Sequence, residues 1–204
     1  MRDTLGSAGP RKDGSSPVDH TLRVASNVLL QLGVTDAGLV IAALLHDVVE
    51  DAAEHVPANA PDGEPRARAL GSIEAIFGPR VARTVELVTL PDIDALARDR
   101  AAAGDTRSHD AIRNEIYADE IAGAIRASTD ALTVKLADFL DNGVRVDPVA
   151  RPGLATKYRP LFTLLPAALM ALPADAPLAA RRNEVQDTID RARRRVYGAR
   201  MTDM

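Results

Sequence analysis

Leu39-Val40-Ile41-Ala42-Ala43-Leu44-Leu45-His46-Asp47-Val48-Val49-Glu50-Asp51 sets the terms for the whole chain. Every position from Leu39 to Leu45 is apolar, so no helical face is left for water, and such a helix belongs at the centre of a bundle. One histidine and three carboxylates then fall within six residues. Carboxylates crowded this closely repel one another, and the C-terminal end of a helix opposes them further; a divalent cation removes both penalties. His20, 26 positions before His46, and Asp138, 91 positions after Asp47, would complete a four-ligand set of imidazoles and carboxylates; the competing reading is a helix-end hydrogen bond between His46 and Asp47, with Glu50 and Asp51 facing water.

Helical signals extend in both directions from this stretch. Ser16, Pro17 and Asp19 read as an N-cap, a first-turn proline and a first-turn carboxylate. The helix they open runs to about Leu32, with Leu22, Val24, Ala25, Val28, Leu29 and Leu32 at helical spacing and Gly33 as its stop. Thr35 and Asp36 open a second helix, which the pattern carries unbroken to about Asp51. Three prolines and a glycine make 53–65 a loop. Further helices are expected over 66–77, 79–89, 109–127, 129–145, 155–171 and 177–197, while the charged stretch 91–109, with Gly104, reads as a mobile loop. Strand-like alternation is absent. The expected fold class is all-α, with 1–16 as an irregular arm and 17–204 as one multi-helix domain.

Composition removes several functional classes. With 204 residues and 46% hydrophobic content the chain suits one well-buried domain. No apolar run approaches the roughly 18 residues of a membrane helix. The first 20 residues are polar and carry no signal peptide, so a cytoplasmic protein is expected. Without cysteine, a metal has only imidazole and carboxylate to bind, a set suited to Mn²⁺, Fe²⁺ or Zn²⁺. A formal net charge of -4, three Tyr, three Phe and no Trp argue against a nucleic-acid partner. Arg191, Arg193, Arg194 and Arg195, interleaved with Asp187 and Asp190, read as a solvated helix face.

His20, His46-Asp47 and Asp138 match the H…HD…D pattern of the HD-domain metal-dependent phosphohydrolases. More narrowly, the HDxxED run ending in Glu50-Asp51 resembles the hydrolase domain of the RelA/SpoT homologues and the single-domain small alarmone hydrolases. Arg11-Lys12-Asp13-Gly14, Phe77-Gly78-Pro79-Arg80-Val81-Ala82, Val85-Glu86-Leu87-Val88-Thr89 and Lys135-Leu136-Ala137-Asp138 agree with it, over about residues 11–145. The resemblance implies an HD-type helical bundle. It also implies Mn²⁺ held by His20, His46, Asp47 and Asp138, and removal of the 3′-diphosphate of (p)ppGpp or a close analogue. The sequence departs from the family at Phe139, where a basic residue is usual, and after Thr89, where a lysine is usual.

Residue roles follow from the same resemblance. Glu50 and Asp51 position the attacking water and manage its proton; as second partners that merely orient the histidines they have a structural alternative. Arg11 and Lys12 match the basic pair that contacts the nucleotide. Asn142, one turn after Asp138, is a candidate for ribose or phosphate, or a polar group at a helix end. Lys157, Tyr158 and Arg159 are further candidates for phosphate contacts, with plain surface positions as the competing reading. His55 and His109 read as exposed loop residues outside the ligand set. The expected partner is a small phosphorylated nucleotide. Two other functions compete: a phosphatase of another phosphorylated nucleotide such as NADPH, and a regulatory module that binds metal or nucleotide without turnover.

Overall fold

The computed structural model describes residues 16–56 and 64–198, and among these every regular element is a helix. Helix α1 (Pro17–Leu30) begins where Ser16 accepts a hydrogen bond from the Asp19 amide and Pro17 occupies the first turn. Gly33, at φ +68, turns the chain toward α2 (Ala37–Leu45), which Asp36 caps by accepting from the Leu39 amide at 3.0 Å. Helix α3 (Val48–Asp51) and a 3-10 turn (Ala53–His55) follow. Next come α4 (Pro65–Phe77), α5 (Pro79–Val88), α6 (Ile93–Ala102), α7 (His109–Ala127) and α8 (Thr129–Asp141). The C-terminal layer is α9 (Pro152–Tyr158), α10 (Leu161–Met170), a 3-10 turn (Pro177–Arg181) and α11 (Arg182–Tyr197).

The bundle is arranged around α2 and α8. Helix α1 packs on both, α5 closes the opposite side of both, and α10 and α7 cover the remaining faces of α8. Ala42, Ala43, Ala131, Val134, Leu136 and Ala137 are fully enclosed, which explains why these helices are apolar on nearly every face. Arg80 at the start of α5 clamps the arrangement: its Nε lies 2.7 Å from Asp130 of α8 and its Nη1 2.8 Å from Asp36, the cap of α2. One guanidinium thus registers the helix that leads to His46 against the helix that carries Asp138.

Several expectations differ from the structure. The second helix does not run unbroken to Asp51; it stops at Leu45 and resumes at Val48. The His46 ring bonds to the Ala43 carbonyl at 2.8 Å, taking an acceptor that the Asp47 amide uses in a continuous helix. Residues 91–109 are not a loop throughout. Asp92 caps α6 through the Ala95 amide, and alanine-rich sequence sustains the helix to Ala102. A small satellite core of Ala97, Ile112 and Ile116, with Arg100–Glu115 and Arg113–Asp94 ion pairs, fixes α6 against α7. The expected helix over 155–171 is two helices, because Pro160 supplies no amide to continue the first. His109 begins α7 rather than occupying a loop, and His55 lies in the short 3-10 turn; both are exposed. Most of the expected arm, residues 1–15, lies outside the described residues.

Phe139 explains its own departure from the family pattern. Its ring is buried and packs edge-on against Phe162 at 4.8 Å and Tyr158 at 6.2 Å. Gly143 makes room for it: a Cβ there would run into the Cε2 edge of the Phe139 ring. Gly143→Ala is therefore expected to lower stability by about 1–3 kcal/mol through overpacking beside the end of α8, read as a fall in Tm; an unchanged Tm contradicts this packing.

Candidate metal centre and active site

Helix α1, the break between α2 and α3, and the last turns of α8 deliver their polar side chains to one point. His20 and His46 are each 1% exposed, with ring centroids 5.2 Å apart at an interplanar angle of 63°. His20 Nε2 lies 3.5 Å from Asp47 Oδ2 and 3.3 Å from Asp138 Oδ1. His46 Nε2 lies 3.0 Å from Asp47 Oδ1 and 3.8 Å from the same Asp138 oxygen. One ligand atom from each of His20, His46 and Asp47 falls within 4.8 Å of the others, and Asp138 reaches both ring nitrogens from the far side.

Both histidines are oriented from behind. His46 Nδ1 donates to the Ala43 carbonyl, which can only accept, so this nitrogen carries the proton. His20 Nδ1 donates to Asp141 Oδ2 at 2.8 Å, and Asp141 is in turn gripped by Arg23 Nε at 2.8 Å and Arg145 Nη1 at 3.2 Å. Each ring then aims Nε2 at the common point, where both atoms are buried and neither has a hydrogen bond of good direction. Two orphaned buried imidazole nitrogens facing two carboxylates are a donor set that fits a divalent cation. Ligands about 2.1 Å from a shared ion stand about 3 Å apart when adjacent, close to the observed spacings. Histidine with a carboxylate behind it is a recurrent arrangement at metal centres.

The electrostatics show the same shortage of positive charge. Burial by itself lowers His20, but Asp138 and Asp141 outweigh it and push the imidazole up to about 9. His46 is raised as well, burial being overcome chiefly by Asp47. Burial alone raises Asp141 and Asp138; His20 and Arg23 bring Asp141 down to about 2, and His20 and His46 lower Asp138. Sequence reasoning missed Asp141 and Arg23, although Asp141 sits three residues beyond Asp138 and Arg23 three beyond His20. Asp141→Asn is expected to keep the fold and weaken divalent-metal affinity by roughly 10–100-fold, measured by titration of metal-free protein; unchanged affinity overturns this supporting role.

Glu50 and Asp51 follow at the rim. The Leu90 amide donates to Glu50 Oε2 at 3.2 Å, a contact that no side-chain pattern reveals. Glu50 keeps an exposed flank, yet its carboxylate is hemmed in by protein. Desolvation first and the Asp47 charge second raise its pKa. The Asn142 amide donates to Asp138 Oδ1 at 2.7 Å, fixing that carboxylate. Tyr158 is buried, edge-on to Tyr117 and Phe139, so it braces the wall of the site. Lys157 is half-buried with its Nζ 4.1 Å from the centre of the Tyr117 ring, while Arg159 stands over Tyr197 at 6.0 Å. Arg11 and Lys12 lie outside the described residues. No helix among the described residues is long and apolar enough to cross a membrane.

Comparison with known proteins agrees with this architecture. No family profile matches the chain. The guanosine-3′,5′-bis(diphosphate) 3′-pyrophosphohydrolase MESH1 of Drosophila melanogaster is 32% identical over 125 residues, 61% of this chain. The chain spans about half the length of that relative, 52%. A solved structure of a metazoan orthologue of SpoT, described as hydrolysing ppGpp, superposes with a TM-score of 0.55 at 20% identity, covering 96% of this chain and 94% of the other. The fold is thus the all-helical one of that structure.

Proposed function

We propose that this chain is a metal-dependent phosphohydrolase of the small alarmone hydrolase kind, removing the 3′-diphosphate of (p)ppGpp or a close analogue. The observation that carries the reading is the pair of buried His20 and His46 Nε2 atoms, neither with a well-directed hydrogen bond, facing Asp47 and Asp138, with two further carboxylates one turn away. The activity named for the Drosophila relative supports it.

In this reading His20, His46, Asp47 and Asp138 hold one ion, Mn²⁺ by resemblance, with Fe²⁺ and Zn²⁺ equally suited to the donor set. Such an ion supplies Lewis-acid polarisation of a phosphoryl oxygen and makes water more acidic. The protein's own groups do the rest. Asp141 and the Ala43 carbonyl hold the two imidazoles in the tautomer that presents Nε2. Asn142 keeps Asp138 turned toward the same point. Glu50, its proton affinity raised by burial and by Asp47, accepts the proton of the attacking water, and Asp51 beside it orients that water. Water's oxygen bonds to the phosphorus nearest the ribose and the bond to the 3′ oxygen breaks. That oxygen recovers a proton, leaving a nucleotide alcohol and pyrophosphate.

A nucleotide panel tests the reading, with pyrophosphate and phosphate release measured on metal-loaded and metal-free protein. Pyrophosphate from ppGpp only when metal is present is expected. Phosphate from NADPH with nothing from ppGpp overturns the substrate assignment, and no turnover on any member with metal bound overturns the enzyme.

A further inference from the structure

Only three of the chain's 25 basic residues are lysines, Lys12, Lys135 and Lys157; the other 22 are arginines. The charges of both lysines among the described residues act on the same two carboxylates, Glu50 and Asp138. Lys135, on α8, is 7% exposed, and its charge acts on Glu50 and Asp138. Lys157, on α9, is half-buried with its Nζ over the Tyr117 ring at 4.1 Å and near the Tyr158 ring at 5.6 Å. Tyr117 is itself buried and braced edge-on by Tyr158. The ammonium is therefore held by aromatic faces. Among the described residues it has no hydrogen bond or ion pair. The charges that face it are Asp138 and Glu50, attractive, and Lys135 and Arg113, repulsive.

Keeping a largely desolvated cation with no direct ion pair, in the field of a second buried cation, is costly unless an anion arrives. We infer that Lys157, presented on the Tyr117 face beside Lys135, forms an anion subsite of the active site that takes phosphoryl oxygens of the substrate's diphosphate. The inference rests on the hydrolase reading and specifies which residue recognises the group that leaves. Lysine suits the task better than arginine: a compact ammonium with three rotatable donors can follow oxygens that move as the P–O bond breaks, whereas a guanidinium fork demands a fixed plane. Burial lowers the Lys157 pKa, and a bound phosphate dianion restores the charged form.

Inorganic pyrophosphate is the probe, titrated calorimetrically into the metal-loaded protein. Lys157→Met is expected to weaken its binding roughly tenfold or more and to raise KM for the 3′-diphosphate more than it lowers kcat, with metal affinity unchanged. Lys157→Arg, which restores the charge, is expected to recover most of the pyrophosphate affinity. Pyrophosphate affinity in Lys157→Met within twofold of the parent overturns the subsite. Should Lys157→Met fail to fold, acylation of Lys157 in the unaltered protein provides the test. Slowing by pyrophosphate but not by chloride at equal ionic strength supports the subsite, and no protection overturns it. A protein that binds pyrophosphate through Lys157 yet turns over no 3′-diphosphate overturns the hydrolase reading and leaves the subsite standing.

Discussion

Glu50→Gln and Asp51→Asn are expected to keep the fold and the metal while lowering turnover by at least roughly a hundredfold, the scale of lost general acid–base catalysis. Asp47 and Asp138 are the carboxylates that approach the His20 and His46 Nε2 atoms, so removing the Glu50 or Asp51 charge leaves the four proposed ligands in place. Glu50 sits where burial and Asp47 raise its proton affinity and the Leu90 amide anchors it, which suits a base. The amide introduced by Glu50→Gln would preserve size and hydrogen bonding but accept no proton. Steady-state turnover with elemental analysis of each variant checks the expectation. A Glu50→Gln protein that turns over at the parental rate removes Glu50 from the chemistry.

Asp138→Ala is expected to behave in the opposite order, losing the ion first and activity as a consequence. Its carboxylate reaches both imidazoles and is positioned by Asn142, so truncation deletes a proposed ligand and leaves His20, His46 and Asp47 an incomplete set. Metal affinity should fall by at least roughly a hundredfold, beyond the loss typical of an outer partner such as Asp141. Helix α8 should survive the change, because Leu132, Val134, Leu136 and Leu140 still bury its other faces. If Asp138→Ala, Glu50→Gln and Asp51→Asn all lose metal equally, the division between ligands and catalytic carboxylates is wrong.

The centre of the fold was legible because its signals are local and redundant. An all-apolar run ending in His46-Asp47, the Ser16-Pro17 cap and the Gly78-Pro79 boundary each mark an element without tertiary information. The break at His46-Asp47 was not legible, since it arises from a side chain competing for the Ala43 carbonyl, which periodicity does not record. Helix α6 was missed because its charges read as loop; they are ion pairs with α7, a long-range fact. At the site, the four residues expected as ligands come together; Asn142 bonds to Asp138, and Tyr158 packs on Tyr117, contacts that the sequence spacing did not show. Lys157 could not be separated from a surface lysine by local sequence, because the Tyr117 ring beneath it comes from a helix 40 positions away. The lysine count was the available signal, and it becomes informative only once the charges of both lysines are seen to act on Glu50 and Asp138.

The most direct test of the central claim is titration of Mn²⁺ into metal-free protein while pyrophosphate release from ppGpp is followed. The metal-free protein should be inactive, and release should rise with added Mn²⁺ to a plateau at one ion per chain. Release that persists under chelation, or a protein saturated with metal that releases no pyrophosphate, would contradict the claim.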